Sequence, residues 1–253
     1  MKKNNGKERV SKRKRYVLTE TTPFIITEAY NMARTNLTFA LATSDKNSIV
    51  FTSCNPAEGK STNCVNFAIT LANAGSKVLL IDSDLRKPTM HKLLKLANNK
   101  GLSSIISGQC SINEARNLDV RPNLDVITAG PIPPNPSELL SSQIMVTCLD
   151  LLSKKYDYIC IDTPPINVVS DALLYNNLTA GIIFIVKENY THHGDIASAL
   201  DKVNITNGKV LGIIKTACNP EEKGSHSYSY KYKYEYSTPT SKTDSASSSN
   251  NAK

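Results

Sequence analysis

The chain has 253 residues, of which 40% are hydrophobic, and it carries a formal net charge of +8. Residues 1–15 hold eight Lys or Arg residues against one Glu, so most of the excess charge lies there and the rest of the chain is close to neutral. A neutral body argues against a nucleic-acid-binding protein, in which phosphate contacts usually spread over a folded face. The apolar content is sufficient for one α/β core of ordinary size with additional terminal segments.

The basic segment can be interpreted in two ways. It is either a solvated, disordered arm or a segment attracted to an anionic membrane surface, where each Lys or Arg contributes roughly 1 kcal/mol. No apolar run approaches the roughly 18 residues that cross a bilayer, and none follows the basic segment as in a secretory signal. We therefore expect a cytoplasmic protein with a disordered basic arm at 1–20, one folded domain at 21–220 and a disordered tail at 221–253.

Short apolar runs alternate with segments of helical length through the folded domain. Near-continuous Val, Ile and Leu runs between helices predict an α/β fold in which helices cover both faces of a mostly parallel sheet. Ligands of such sheets bind beyond the carboxyl ends of the strands. Strands are predicted at 48–53, 77–84, 124–128, 156–162, 180–187 and 209–215, and helices at about 60–75, 89–95, 137–153, 170–177 and 194–204.

A phosphate-binding loop follows the first predicted strand. Residues 53–62 read SCNPAEGKST and precede a segment with helical spacing of apolar residues. The pattern is that of a P-loop, G-x-x-x-x-G-K-[ST], whose backbone N–H groups wrap phosphates, whose Lys neutralises their charge and whose Ser or Thr holds Mg²⁺. Ser53 replaces the first glycine, which matters only if that position needs a positive φ. The predicted nucleotide-binding residues are Ser53, Pro56, Glu58, Gly59, Lys60, Ser61 and Thr62.

Three carboxylates are expected at the same edge of the sheet as Lys60. Asp82 and Asp84 lie at the end of the second predicted strand, and Asp162 ends the fourth. Two acids so close together repel each other unless a cation or hydrogen-bond donors lie between them. A bound Mg²⁺ would offset this repulsion, so ATP and Mg²⁺ are the predicted cofactors. Arg86, close behind the first two acids, could contact a phosphate or a neighbouring subunit, or be a surface arginine.

These motifs resemble those of the bacterial tyrosine kinases of capsular and exopolysaccharide loci, the BY-kinases, and in particular the free-standing cytoplasmic CpsD type. The resemblance covers about residues 25–236. Deviant-Walker P-loop ATPases of the MinD and ParA kind share the fold that it implies, without the tyrosine cluster described below. The matching segments are the P-loop at 53–62, LLIDSDLRKP at 79–88, GPIPPNPSELL at 130–140, IDTPP at 161–165 and Asp171 beyond it.

The resemblance implies roles for the residues at the strand ends. Lys60 and the loop amides would hold the β- and γ-phosphates of ATP. Asp82 is implied as the group that accepts the tyrosine proton, since a phenol with a pKa near 10 is a poor nucleophile at neutral pH. Which of the three acids acts as the base stays open at this stage. Catalytic roles are implied for Lys60, Asp82 and Asp84, Mg²⁺ ligation for Ser61, Asp84 and Asp162, and a place near the α-phosphate for Thr62.

Five tyrosines at alternate positions near the C-terminus are the predicted substrates. They are separated by Ser, Lys and Glu and followed by a Ser/Thr/Asn/Lys tract with almost no apolar residue to bury. This pattern favours an exposed tail over the alternatives, an edge strand or a sticky low-complexity segment. Phosphorylation would add about −1.5 to −2 charges per tyrosine, and repulsion by the carboxylates would then favour dispersed over assembled subunits. The five are Tyr228, Tyr230, Tyr232, Tyr234 and Tyr236.

Self-assembly is implied by the resemblance, with one departure. Members carry a Glu-x-x-Arg-x-x-Arg helix before the first strand, and this chain has Glu28, Asn31 and Arg34 at those positions. A homo-oligomer with Glu28 and Arg34 at its interface remains the expectation. The resemblance also implies a membrane-bound activator of the polysaccharide co-polymerase (CpsC) type, which would place the protein at the inner face of the membrane, and a cognate protein-tyrosine phosphatase. No nucleic-acid partner is expected.

Two other functions are open at this stage. A positioning ATPase of the MinD or ParA kind would carry a signature lysine early in the P-loop, and Cys54 and Asn55 do not provide it. A regulator of polysaccharide chain length could bind nucleotide without catalysis. The favoured function is an autophosphorylating protein-tyrosine kinase that transfers the γ-phosphate of ATP to the tail tyrosines in trans and regulates capsule or exopolysaccharide synthesis and export.

Overall fold

A computed structural model of the chain describes residues 17–218. No helix within that range combines the length and the apolar character needed to cross a membrane. The strands are β1 (Ser48–Ser53), β2 (Val78–Asp82), β3 (Arg116–Arg121), β4 (Leu124–Ile127), β5 (Tyr158–Asp162), β6 (Gly181–Lys187) and β7 (Val210–Thr216). The helices are α1 (Phe24–Leu41), α2 (Lys60–Asn73), α3 (Met90–Leu94), α4 (Leu102–Ile106), α5 (Ile112–Ala115), α6 (Pro136–Leu140), α7 (Gln143–Ser153) and α8 (His193–Ile205), with a 3₁₀ helix at Asp171–Tyr175.

The strands form one sheet in the order β3-β4-β2-β5-β1-β6-β7. Neighbouring strands are parallel except β3 and β4, which pair antiparallel at one edge. Val50 in the interior strand β1 lies opposite Ile161 of β5 and Ile182 of β6. Because β2, β5 and β1 are adjacent and parallel, their carboxyl ends meet at one edge of the sheet, and Asp82 pairs in register with Asp162 there.

Helices cover both faces of the sheet, as the apolar runs predict. Successive side chains of β1 alternate between the faces: Ile49 and Phe51 pack with α1, α2 and α3, whereas Val50 packs with the helices of the opposite face. The rings of Phe51 and Phe67 lie in the first of these layers with centroids 5.4 Å apart. Burying such a side chain contributes about 1.5–3 kcal/mol. The mostly parallel α/β fold is therefore confirmed, and two apolar layers enclose the sheet that positions the site.

Some elements are absent from the sequence-based prediction. The edge strand β3 reads RNLDVR and is half-exposed, so it has neither a continuous apolar run nor a clean alternation. Helices α4 and α5 are five and four residues long, too short to display a helical period. Helix α1, in contrast, is the helix that the family resemblance places before the first strand.

The single helix predicted at 137–153 is wrong, because two helices occupy that segment. Helix α6 ends at Leu140, and the Ser142 hydroxyl caps α7 by accepting a hydrogen bond from the backbone N–H of Met145 at 3.3 Å. A serine that satisfies a free N–H group in this way favours a new helix start over continuation. The helix predicted at 170–177 is present as the shorter 3₁₀ helix.

Candidate active site

The P-loop joins the end of β1 to the start of α2. Gly59, the N-cap of α2, has a φ of +90°, a left-handed conformation that L-residues rarely adopt. A Cβ atom at this position would lie 3.2 Å from Nδ2 of Asn63, which donates a 2.9 Å hydrogen bond to the Gly59 carbonyl oxygen. Backbone conformation and local space both favour glycine here, and Lys60 follows as the first residue of α2.

Ser53 replaces the first glycine of the P-loop pattern without backbone strain. Its φ is not positive, and its hydroxyl donates a 2.9 Å hydrogen bond to the carbonyl oxygen of Asn55 within the loop. The left-handed residue in this part of the loop is Ala57, with a φ of 64°. The departure at Ser53 is therefore compatible with the phosphate-binding conformation.

The ammonium group of Lys60 lies among the carboxylates at the strand ends. Its Nζ atom is 2.6 Å from Oδ1 of Asp162, 3.8 Å from Oδ2 of Asp84 and 3.1 Å from Oγ of Ser61. Lys60 is 7% exposed and Asp162 is fully buried. Burial lowers the pKa of Lys60, but the charges of Asp162 and Asp84 outweigh that effect and raise the pKa above its usual value. Lys60 is therefore charged at neutral pH.

Asp82 is the member of this group that forms no ion pair with any residue from 17 to 218. It is fully buried, and its two carboxylate oxygens accept backbone N–H groups of Asp84 and Met90 at 3.2 and 3.1 Å. Burial, followed by the charge of Asp162, raises the pKa of Asp82 to about 7. A carboxylate with a pKa near neutrality is suited to accept a proton.

The donor set at the strand ends fits a magnesium ion. The carboxylates of Asp162 and Asp84 lie within 4 Å of one ammonium group, and Oδ2 of Asp162 is buried without a hydrogen-bond partner in the described part of the chain. Mg²⁺ prefers oxygen ligands and is commonly held by one or two carboxylates together with substrate phosphates. Between residues 17 and 218, no group of three or more His, Cys, Asp or Glu side chains is arranged to hold a metal by itself. Asp84, Asp162 and Ser61 could supply the protein ligands.

Arg86 binds a buried aspartate of the same chain. Its Nε and Nη2 atoms donate hydrogen bonds to the two carboxylate oxygens of Asp171 at 2.8 and 3.1 Å. The Ser137 hydroxyl accepts from Nη2 at 2.7 Å and donates to Asp171 at 2.8 Å. This internal group ties the loop after Asp84 to α6 and the 3₁₀ helix. The Arg86 side chain is still 37% exposed, and the three predicted interpretations, a phosphate contact, a subunit contact or a surface arginine, stay predictions beside this ion pair.

Glu58 and Pro56 contact the loop that follows β6. Glu58 is 1% exposed, and its Oε1 atom accepts a 2.6 Å hydrogen bond from the hydroxyl of Thr191. The carbonyl oxygen of Pro56 accepts a 3.1 Å hydrogen bond from the hydroxyl of Tyr190. The carboxylate of Glu58 is therefore engaged by protein groups, although the residue lies in the predicted nucleotide-binding set. Neither Tyr190 nor Thr191 is identifiable from sequence, because no motif marks that loop.

Helix α1 is attached to α2 through Tyr30. The Tyr30 hydroxyl donates to Oδ1 of Asn63 at 2.8 Å and accepts from Nδ2 of Asn66 at 3.0 Å. Burial raises the pKa of Tyr30, and the hydrogen bond from Asn66 opposes this only in part. Sequence reasoning missed Tyr30, since nothing in its spacing connects it with the P-loop helix.

The predicted interface residues Glu28 and Arg34 both lie on α1. Between them, the Asn31 amide donates a 3.2 Å hydrogen bond to Oε2 of Glu28, so the residue at the altered position contacts its own chain. Three large apolar side chains on α1 are spaced seven residues apart and therefore share one side of the helix. They are Ile25, Met32 and Phe39, which are 71%, 58% and 76% exposed.

The five tail tyrosines lie outside residues 17–218, and so does most of the basic arm. The division of the chain into an arm at 1–20, a P-loop kinase domain at 21–220 and a tail at 221–253 accordingly stays a prediction.

The sequence is similar to families of known proteins over most of its length. Residues 46–213 match the family described as AAA domain. The chain is 39% identical over 228 residues to the tyrosine-protein kinase YwqD of Bacillus subtilis (strain 168), which covers 90% of this chain and 93% of YwqD. It is also 33% identical over 193 residues to the tyrosine-protein kinase CpsD of Streptococcus agalactiae serotype III (strain NEM316), covering 76% and 82% of the two chains.

Solved structures agree with this relationship. The chimerical protein CapA2B2 matches with a TM-score of 0.73 and 37% identity, covering 78% of this chain and 86% of that one. The kinase domain of the Escherichia coli tyrosine kinase ETK matches with a TM-score of 0.75 and 28% identity, covering 87% and 89%. A plasmid partition protein from Borrelia burgdorferi, at 23% identity, a TM-score of 0.57 and coverage of 72% and 84%, shares the fold alone. The similarity in sequence and in fold shows that the chain belongs to the bacterial tyrosine-protein kinases of capsular and exopolysaccharide loci.

Proposed function

We propose that this tyrosine kinase transfers the γ-phosphoryl group of ATP to the tyrosines at 228–236 on a neighbouring copy of the chain. The observation that carries the proposal is the position of the Lys60 ammonium group between Asp162 and Asp84, beside Asp82, at the ends of adjacent strands. Phosphoryl transfer depends mainly on positioning and electrostatics. This chemistry needs a cation that binds the phosphates. It also needs carboxylates that bind a metal ion and accept a proton.

The P-loop would hold the nucleotide. The left-handed Gly59 begins α2, and a helix N-terminus with free N–H groups favours phosphate oxygens. A bound phosphate would compete with Asp162 for the Lys60 ammonium group. When bound, Mg²⁺ neutralises charge that develops on the transferred phosphoryl group. The proposed nucleotide-binding residues are Ser53, Pro56, Glu58, Gly59, Lys60, Ser61 and Thr62, and the proposed Mg²⁺ ligands are Ser61, Asp84 and Asp162.

Asp82 is proposed to accept the proton of the attacking tyrosine. A tyrosine hydroxyl with its ordinary pKa near 10 needs such an acceptor at neutral pH. Two backbone N–H groups fix the orientation of the Asp82 carboxylate, and it lies in register with Asp162 on the neighbouring strand. Asp84 is 3.8 Å from the Lys60 ammonium group and is therefore better placed to help organise phosphate charge.

The kinase is proposed to act as a homo-oligomer under the control of a membrane-bound activator of the CpsC type. Exposed apolar residues on α1, in the same helix as Glu28 and Arg34, support an interface there, because burial of these side chains against another copy would be favourable. The activator would bring the kinase to the inner face of the membrane, to which the basic residues at 1–15 would also be attracted. A cognate protein-tyrosine phosphatase would reset the tail.

A positioning ATPase is the main competing function, because such proteins share the fold. It predicts ATP hydrolysis without phosphotyrosine. The test incubates the full-length chain with ATP, Mg²⁺ and the cytoplasmic segment of the activator and then maps phosphate by mass spectrometry. Wild type is expected to gain phosphotyrosine, as is the control variant Lys154→Met, which alters an exposed lysine beyond α7. Lys60→Met is expected to gain none, and phosphotyrosine on Lys60→Met or its absence from wild type would refute the kinase mechanism.

A further inference from the structure

Glu58 is the acidic residue of the phosphate-binding loop at 53–62. It is a carboxylic acid next to the site of an anionic ligand, it is 1% exposed, and it forms no ion pair with any residue in the described range 17–218. A buried charge without a cation is costly unless hydrogen bonds compensate. Because a carboxylate repels phosphate, Glu58 is expected to contribute to nucleotide binding through its contacts with other protein groups.

The Glu58 carboxylate connects the P-loop to the end of β6. Its Oε2 atom accepts a 3.1 Å hydrogen bond from the backbone N–H of Asn55, which holds the loop together internally. Its Oε1 atom accepts a 2.6 Å hydrogen bond from the Thr191 hydroxyl. The same hydroxyl accepts a 2.9 Å hydrogen bond from the backbone N–H of Lys187, the last residue of β6. A continuous chain of hydrogen bonds thus runs from the P-loop to the sheet.

Two further hydrogen bonds attach the same part of the loop. The Thr216 hydroxyl, in the last residue of β7, donates to the carbonyl oxygen of Glu58 at 3.1 Å. The Tyr190 hydroxyl donates to the carbonyl oxygen of Pro56 at 3.1 Å. The ends of β6 and β7 are themselves joined, since the backbone N–H of Glu188 donates to the carbonyl oxygen of Thr216 at 3.0 Å. The carbonyl oxygens of Pro56 and Glu58 are therefore hydrogen-bonded to Tyr190, beyond β6, and to Thr216, at the end of β7.

From these contacts we infer that Glu58 is a positioning residue, which clamps the P-loop to the ends of β6 and β7 and thereby sets the affinity of the loop for nucleotide phosphates. The left-handed residues Ala57 and Gly59 flank Glu58, so this stretch of backbone holds a conformation that an untethered chain would populate poorly. A loop already fixed in its binding conformation loses less conformational freedom when phosphates bind. The inference rests on the proposed nucleotide binding at the P-loop.

The test compares binding of the fluorescent nucleotide N-methylanthraniloyl-ATP with Mg²⁺ to full-length variants. Glu58→Ala is expected to weaken binding by about tenfold and Thr191→Val by about fivefold, the range expected for loss of one or two hydrogen bonds. Glu58→Gln keeps one of the two acceptor oxygens and the side-chain shape, and it is expected to weaken binding less than Glu58→Ala does. In kinase assays of Glu58→Ala and Thr191→Val, the KM for ATP should rise while kcat changes by less than about threefold. This is expected because the clamp would favour the bound ground state and the transition state equally.

A double variant separates the clamp from a direct contact with the ligand. If Glu58 acts through Thr191, the double variant Glu58→Ala/Thr191→Val should bind the nucleotide within about twofold of Glu58→Ala alone. The reason is that both substitutions remove the same hydrogen bond, the one between Glu58 and Thr191. Wild-type affinity in Thr191→Val, or effects of the two changes that multiply, would overturn the inference. Thr179→Val is the matched control, because it removes another buried threonine hydroxyl at the opposite end of the sheet.

Hydrogen exchange without nucleotide gives a readout that does not depend on the proposed function. The amides of residues 54–60 are expected to exchange at least about fivefold faster in Glu58→Ala and in Thr191→Val than in wild type, and at the wild-type rate in Thr179→Val. Unchanged exchange in both clamp variants would contradict the clamp. If wild type failed to bind the nucleotide, the proposed function would fail while the exchange rates would still decide the role of Glu58.

Discussion

Lys60 and Asp162 form a buried ion pair across the carboxyl edge of the sheet, with Nζ 2.6 Å from Oδ1. The pair joins the first residue of the P-loop helix to the last residue of β5. Because both groups are buried, removal of Lys60 leaves the Asp162 carboxylate without its cation. The contact places the lysine at the strand ends, where Asp84 also lies within 4 Å of its ammonium group.

Lys60→Met is expected to destabilise the protein as well as to inactivate it. It leaves Asp162 and Asp84 buried without their cation, and we expect the free energy of unfolding to fall by about 3 kcal/mol. Urea unfolding at pH 7 without nucleotide measures this. Lys154→Met removes an exposed ion pair and should cost less than about 0.5 kcal/mol. Equal unfolding midpoints for Lys60→Met and wild type would show that the pair contributes little to stability.

Arg86→Lys is expected to lower stability and activity together. Lysine keeps the charge but cannot donate two parallel hydrogen bonds to the buried Asp171 carboxylate, so we expect a loss of about 1–2 kcal/mol in the free energy of unfolding. The loop after Asp84 also loses its tie to α6, which should reduce kcat. Thermal unfolding and a kinase assay measure the two effects. A variant with wild-type stability and a raised KM for ATP would instead place Arg86 on the nucleotide.

Gly59→Ala is expected to abolish nucleotide binding. Alanine is strained at a φ of +90°, at a cost of roughly 1–2 kcal/mol, and its methyl group would press on Asn63 at 3.2 Å. Gly75→Ala is the matched control, since Gly75 has a φ of +91° with no atom within 4 Å of the added Cβ. The control should lose similar stability and keep nucleotide affinity, as measured by fluorescence titration. Similar affinities for the two variants would mean that the left-handed turn at Gly59 has no special role in binding.

Phe39→Lys is expected to weaken self-assembly. The side chain is 76% exposed on α1 and lies on the same side of the helix as Met32, so a charge there should oppose burial against another copy. Sedimentation velocity of the full chain should show a shift towards smaller species. The control is Ile205→Lys, which changes an 81% exposed residue at the end of α8 and should leave the distribution unchanged. An unaltered distribution for Phe39→Lys would exclude this side of α1 from the interface.

The elements that sequence could predict are those whose signal is local. Strand β1, the P-loop and α2 are consecutive in the sequence, so a short stretch of residues reveals all three. Asp82 and Asp162 each end an apolar run, and Asp84 lies two residues beyond the first of them. Strand β3 could not be found, because an edge strand is polar and its pairing with β4 is set by tertiary contacts.

The same reasoning explains which contacts of the site were missed. The partner of Arg86 lies 85 residues away at Asp171, and the partners of Glu58 lie at Thr191 and Thr216. Sequence could place Arg86 and Glu58 near the phosphates, because both belong to motifs. It could not show that their side chains bind other parts of the chain, since such contacts depend on how distant strand ends meet.

The transfer of phosphate between copies is tested most directly by mixing two variants. One carries Lys60→Met with an intact tail and a heavy-isotope label, and the other carries wild-type Lys60 with the five tail tyrosines changed to Phe. After incubation with ATP, Mg²⁺ and the activator segment, mass spectrometry should find phosphotyrosine at 228–236 on the labelled chain. A labelled tail without phosphate, under conditions in which the wild-type chain is phosphorylated, would contradict transfer in trans.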